Sequence, residues 1–528
     1  MIRLALLIAA PLLLLAGCQT FGITCQPGTT QCGQGCADLR FDNRNCGACG
    51  NGCAANQACI AGLCQCSTGT TQCGALCAEF NTDPQNCGGC ANDGGVVCAS
   101  NQVCEKGQCK DSCQLGVDQP CDGGCFDFNT DPTHCGTGCD NYVPCLQGQA
   151  CHSGLCAYEV VAACFTSGQV VGMSSDGIRA SSATSLGTAP ASLASFGTRL
   201  LSADGDDHLL HQADLHSLAA GNVTTLIGGA SNQVVADSPF AYVINAGDDT
   251  LQILIADGGA DDGGQPFTTI GELNFGMNTF PEAVAKSGDG ALWVPLYGGV
   301  GSTNADAGQR IVRVDISNPA TPTISGQVDL HGIDLHAFDG GHPVARPFAI
   351  VSHRGSLYAP LNNLDPGSYA PAGPGMIAKI DPSDAGLTTL TLDANACLDP
   401  AWLTSDGTHL FVSCIGAALY DADAGYKLIR SDGAGVVMLD ENDAVVSTWA
   451  AQCPADAGCA PILPSRMAVK QGRLFVGDSN GGRVFGFDIT DAGLVERFGY
   501  ANGNSPIEAC PLDSQTGIAN VSDVLAVP

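Results

Sequence analysis

Met467-Ala468-Val469, Leu474-Phe475-Val476 and Arg483-Val484-Phe485-Gly486-Phe487-Asp488 make the clearest copy of a unit that recurs through the second part of the chain. It reads as a short apolar strand, a turn with glycine, a Leu-aromatic-Val strand and a further strand ending in aspartate. Alternation of period two, with β-branched and aromatic residues, marks strands; the glycine-containing gaps mark hairpin turns. The unit recurs as Ala283-Val284-Ala285, Ala291-Leu292-Trp293-Val294 and Ile311-Val312-Arg313-Val314-Asp315. It returns as Phe348-Ala349-Ile350-Val351, Leu357-Tyr358-Ala359 and Met376-Ile377-Ala378-Lys379-Ile380-Asp381. A fourth copy is Trp402-Leu403-Thr404, Leu410-Phe411-Val412 and Val436-Val437-Met438-Leu439-Asp440, and fainter ones start near Ser192 and Gln233. A period of about 40–55 residues is that of propeller blades.

Six copies fit between residues 188 and 503, and the chain ends are expected to complete a seventh. Gly168–Ser174 looks like the third strand of a blade, while 518–521 and 524–527 look like an inner strand pair. One blade closed from both ends leaves no open sheet edge. The predicted fold class is mainly β: three tandem disulfide-rich modules followed by a β-propeller, with seven blades as the expected number.

The first part of the chain is decided by cysteine. Of 31 cysteines, 24 fall into three eight-cysteine modules of nearly one spacing: 25–64, 66–109 and 113–156. Such repeats place the protein where thiols oxidise. About 40 residues bury too little for a self-sufficient core, so disulfides must hold each module. Eight cysteines allow about 105 pairings, and spacing does not choose among them. Asp42, Asp83 and Asp131 precede Cys46-Gly47, Cys87-Gly88 and Cys135-Gly136, which is turn chemistry rather than a calcium loop. Zinc at Cys46/Cys49 or Cys87/Cys90 is disfavoured, because Cys135 and Cys139 break the spacing.

Residues 1–17 carry one charge, Arg3, and an apolar run shorter than the roughly 20 residues that span a bilayer, so they read as a cleaved signal. Leu15-Ala16-Gly17-Cys18 resembles the lipobox of bacterial lipoproteins, which implies acylation (palmitate included) of Cys18 and a short anchored tether at 18–24. Parity agrees: without Cys18, 30 cysteines remain and all can pair. The repeats at 25–156 resemble the cysteine-rich repeats of myxobacterial surface proteins, and that resemblance implies a fibre-like or stalk role. Residues 158–528 resemble NHL-repeat and lactonase-like propellers in blade pattern. No catalytic carboxylates of that family fall on matching positions.

The net charge of −32 excludes nucleic acid as a partner, since such a surface repels phosphate backbones. It also leaves the lipid, rather than any basic patch, to hold a membrane. Of the remaining cysteines, Cys164 is expected to pair with Cys510, locking the ring. Cys397 and Cys414 flank one hairpin, and Cys453 and Cys459 would close a small loop. The long insertions at 298–309, 362–375 and 415–435, with the connections at 331–343 and 450–464, are expected on one face, where binding residues gather. They bring His331, His336, Asp339, His342, Tyr369, Tyr420 and Tyr426 as candidates for that face. The histidines match no standard metal spacing, and no cofactor is expected. Glycine-flanked acids at Asp204–Asp207 and Asp257–Asp262 read as turns.

The resulting expectation is a monomeric lipoprotein on the outer membrane or cell surface of a Gram-negative bacterium. Its propeller would bind a protein, glycan or other envelope component rather than catalyse. The alternative is a secreted propeller enzyme, a lactonase-like hydrolase or a metal-dependent oxidoreductase.

Overall fold

The structure is a computed structural model. It describes residues 30–528 apart from 33–34, 41, 55–56, 61, 67–69, 75, 114–118, 122, 257–265, 300, 422–426, 454–458, 501–504 and 512–518. The signal segment, Cys18, the 257–262 acids and Tyr426 therefore lie outside the described residues.

The modules are short two-stranded hairpins held by one disulfide order. First cysteine joins third, second joins fifth, fourth joins seventh and sixth joins eighth. Module two shows it as Cys66–Cys77, Cys73–Cys90, Cys87–Cys104 and Cys98–Cys109. Module three repeats it as Cys113–Cys125, Cys121–Cys139, Cys135–Cys151 and Cys145–Cys156. The described bonds of module one, Cys32–Cys49, Cys46–Cys59 and Cys53–Cys64, follow the same order. Sulfurs engaged in these bonds are not thiolates and cannot ligate zinc. The shared aspartates cap turns: Asp42, Asp83 and Asp131 each accept the backbone N–H two residues on, at 2.7–2.8 Å. Gly88 needs its left-handed φ of 78°, and a Cβ there would also strike the Gly107 carbonyl oxygen at 2.6 Å.

The expected extended stalk is not what the modules build. Gly124 of module three bridges to Cys104 of module two. Gln147 donates to the Cys59 carbonyl of module one at 3.4 Å, and Gln149 donates to the His216 carbonyl of the propeller at 3.2 Å. Arg40 of module one stands close enough to Glu508 and Arg179 to shift their titration. The modules fold back on one another and on the propeller. Spacing within each module is silent about packing between modules.

Among the described residues, 160–526 form seven antiparallel sheets of four strands, two of them with one short extra strand. The first six run in chain order, inner strand to outer. Their innermost strands begin at Pro190, Ser231, Ala285, Val344, Pro400 and Pro464. The closing sheet takes its inner strand, Val521–Ala526, from the C-terminus, and Val160–Cys164, Gln169–Met173 and Thr184–Ser185 from the other end. The sequence reading differs here in one respect: the C-terminus supplies one strand rather than a pair, and Val160–Cys164 is the second. All five residues of that strand are buried, so it shows no alternation to read. The disulfide Cys164–Cys510 ties it to the segment following the sixth sheet. Cys397–Cys414 and Cys453–Cys459 are also joined.

Apolar side chains fill the spaces between sheets. Trp293, Leu330, Leu357 and Met376 pack between the third and fourth, and Phe411, Met438, Leu474 and Phe485 between the fifth and sixth. Each such burial stabilises by about 1.5–3 kcal/mol. Among the described residues no helix is long and apolar enough to cross a membrane.

Candidate functional site

Because each inner strand enters from the same side, the first residues of these strands ring one mouth of the central channel. There Asn232, Glu282, Phe348, Trp402 and Arg466 surround a pocket of about 250 Å³, with Phe165 and Ser522 from the closing sheet. Phe348 reaches it because the inner strand of the fourth sheet is broken. Val344–Pro347 and Val351–His353 pair with opposite ends of Ser356–Leu364, and Phe348-Ala349-Ile350 lies between them. The apolar run Phe348–Val351, expected as one strand, is thus mostly a break, and only Val351 pairs within a strand.

Charges in the mouth are paired. The Arg466 guanidinium lies 4.2 Å from the Trp402 ring centroid and 3.3 Å from Asp523, and it also donates to the Asn232 carbonyl. Asp523 accepts the Leu193 N–H at 2.7 Å, so one carboxylate ties the sixth, closing and first sheets together. Glu282 accepts from the Asn232 amide. Burial pushes the Glu282 carboxyl up to about 8, against the smaller lowering effects of Asn232 and Arg466. At neutral pH this acid is mostly protonated.

A pH dependence follows. The folded protein keeps a proton that the unfolded chain releases near 4.5, so this group makes stability fall as pH rises from 4.5 towards about 8. Glu282→Gln is expected to remove that contribution, whose slope is at most about 1.4 kcal/mol per pH unit. Thermal unfolding of both proteins between about pH 5 and 8 checks it. Parallel melting curves across that range would refute it.

A second pocket of about 600 Å³ opens beside the mouth, and Ile415 lines both. Its walls include Tyr297, Tyr369, Asp399, Tyr420 and Arg430. Tyr369 comes from the 362–375 insertion; Tyr420 comes from a hairpin, Ala417–Asp421 with Lys427–Asp432, built into the 415–435 insertion. Burial pushes Asp399 up to about 6, although Asn362 donates to it. Behind this wall the fully buried Arg346 guanidinium sits between two rings, 4.8 Å from Tyr297 and 4.9 Å from Tyr369. Phe348 packs edge-on against both Tyr297 and Trp402, at 5.6 and 4.7 Å. A run of three rings, Trp402, Phe348 and Tyr297, flanked by the Arg466 and Arg346 guanidinium groups, thus joins the two pockets.

Of the residues singled out in the sequence, the structure brings Tyr369 and Tyr420 into this pocket. Tyr426 falls outside the described residues. The histidines do not converge with them. His331 pairs with Asp329 at 2.6 Å; His336 is exposed beside Asp334; Asp339 is exposed. Among the described residues His331, His336, Asp339 and His342 form no three-ligand cluster. Asp204, Asp207 and His211 do lie together. However, Asp204 already accepts the N–H groups of Thr188, Ala189, Asp206 and Asp207 at 2.7–3.0 Å, as a turn-capping carboxylate does. Sequence reasoning missed Glu282, Tyr297, Arg346, Trp402, Asp399 and Arg466. The available signal was an ionisable residue at the head of an inner strand, as with Arg346 and Arg466.

Fold and site together define the class: a disulfide-rich β-propeller protein with an aromatic, acid-containing face at its channel mouth. No protein-family model matches the sequence, and no curated protein matches it. Solved structures similar to it include a protein from Lactobacillus plantarum, at 13% identity and TM-score 0.48, covering 70% of this chain and 100% of that one. A putative 6-phosphogluconolactonase from Bacteroides fragilis shows 12% identity and TM-score 0.46, covering 70% and 97%. Virginiamycin B lyase from Staphylococcus aureus shows 11% identity and TM-score 0.39, covering 58% and 83%.

Proposed function

We propose that this chain is an exported lipoprotein, anchored through Cys18 to the outer membrane or surface of a Gram-negative bacterium, whose propeller face binds a glycan or protein of the envelope. The observation that carries the binding role is the junction of the two pockets. Rings and hydrogen-bonding groups from six sheets converge there, beside the 362–375 and 415–435 insertions. The lipobox-like Leu15-Ala16-Gly17-Cys18 and the disulfide framework support export and anchoring. Several acyl chains, at about 0.8 kcal/mol per buried CH₂, give stable attachment where one chain gives marginal binding. Cys18→Ala is expected to move the protein from the salt-washed membrane pellet to the soluble fraction. Retention of that variant in the pellet would overturn the anchor. Crosslinking in whole cells, followed by mass spectrometry, tests the binding role; recovery of the protein without any envelope protein or glycan would remove it.

A second reading, a propeller hydrolase, draws on Glu282 and Asp399, two carboxyl groups whose raised pKa values suit proton transfer near neutrality.

A further inference from the structure

The channel mouth holds an acid whose charge nothing balances. Glu282 is 7% exposed and lines the pocket of about 250 Å³. Its Oε2 accepts from the Asn232 amide at 2.5 Å. Among the described residues its Oε1 has no partner, and the carboxyl enters no ion pair. Arg466, the basic residue of the same wall, is already matched. It pairs with Asp523 at 3.3 Å, donates to the Asn232 carbonyl and covers the Trp402 ring.

The hydroxyls of the wall offer a ligand only lone pairs. Ser465, Ser479 and Ser522 donate to the backbone carbonyls of Val521, Leu463 and Pro190, at 2.7, 3.2 and 2.5 Å. Each has one proton, and it is spent. Three rings, Phe165, Phe348 and Trp402, line the same space, and ring faces attract cations within about 6 Å.

Few chemistries complete this wall. An anion would meet an acid and spent hydroxyls in a chain of net charge −32. A water gives Oε1 a hydrogen-bond partner but brings it no charge. A cation with N–H groups does both, pairing with the carboxylate and donating to hydroxyl oxygens. A primary ammonium has three such groups on one nitrogen; a quaternary one has none. The pocket is smaller than the roughly 300–1,000 Å³ usual for drug-sized ligands, which leaves room for a short aliphatic chain.

We infer that the channel mouth binds a primary alkylammonium group, its nitrogen on Glu282 and its hydrocarbon chain against the rings. This rests on the binding reading above and gives its ligand a charge and a size. A free amine and a lysine side chain of a partner protein carry this group alike.

Isothermal titration of the full-length mature protein tests it. Four probes share one butyl skeleton: n-butylammonium, n-butyltrimethylammonium, butyrate and 1-butanol. Nα-acetyl-lysine N-methylamide represents the side-chain source. n-Butylammonium is expected to bind at least about tenfold more tightly than the other three. Glu282→Gln, which keeps the shape of the protonated acid and hence the fold, should weaken it by about tenfold or more. In the wild type, affinity should rise about tenfold from pH 6 to 7, because the carboxyl, pushed up to about 8 by burial, must lose its proton to pair. Silence of n-butylammonium at about 10 mM would mean that water alone fills the mouth, and would overturn the assignment. So would tighter binding of butyrate, butanol or the quaternary ion, unchanged affinity in Glu282→Gln, or an affinity flat between pH 6 and 7. Comparable binding of the lysine derivative supports a partner's side chain as the source, and its exclusion supports a free amine. If every ammonium probe fails while whole-cell crosslinking recovers an envelope component, the ligand class falls and the binding role stands.

Discussion

Asp478→Ala is expected to destabilise the propeller by about 3–5 kcal/mol, because it leaves a buried guanidinium without its counter-charge. Asp478 is fully buried and Arg483 is 3% exposed. The carboxylate accepts from Arg483 Nε at 2.7 Å and from the N–H groups of Leu463 and Asn480 at 3.0 Å. Arg483 goes on to Tyr500 at 2.7 Å and the Ala460 carbonyl at 3.0 Å. One pair therefore fixes the second and third strands of the sixth sheet and the connection that enters it. Replacing both partners, Asp478→Ala with Arg483→Met, should recover part of the loss, since no lone charge then stays buried. Urea unfolding with an unchanged m-value measures it. A loss below about 1 kcal/mol for the single variant would show that water reaches the guanidinium.

The second large effect is expected on reduction. Each disulfide in the modules contributes about 2–4 kcal/mol, more than the small apolar content of about 40 residues can replace. The core of module two is sulfur, Cys87, Cys98 and Cys104 with Cys109 against it, and that of module three adds Phe126 and Phe128 to Cys121. The propeller holds three disulfides against seven inter-sheet clusters of apolar side chains. Treatment with dithiothreitol and a protease should therefore digest the modules and leave a resistant fragment beginning near residue 158. Mass spectrometry of that fragment, with thiol titration to establish full reduction, gives the answer. Modules that resist digestion once fully reduced would mean that something other than sulfur holds them.

Much of the strand order was legible because it is local. Leu474-Phe475-Val476 and its relatives are half of a hairpin each, and period-two alternation writes itself into consecutive residues. Val160–Cys164 escaped because burial on both faces erases that alternation, and the break at Phe348 escaped because an apolar run reads as continuous strand. Tyr369 and Tyr420 could be expected on one face from insertion length alone, and the structure puts both in the wall of one pocket. Glu282, Arg346 and Arg466 could not, since nothing in their neighbours says which of them meet.

Cysteine spacing determined that the front of this chain is a disulfide-stapled triple repeat, and hydrophobic period determined that the rest is a ring of β-sheets. Both are properties of residues a few positions apart. Tertiary structure alone decided which sulfurs join, that the modules fold back against the propeller, and that Asn232, Glu282, Phe348, Trp402 and Arg466 share one pocket. Those partners sit tens to hundreds of residues apart, and only closure of the ring brings their strands to a common axis.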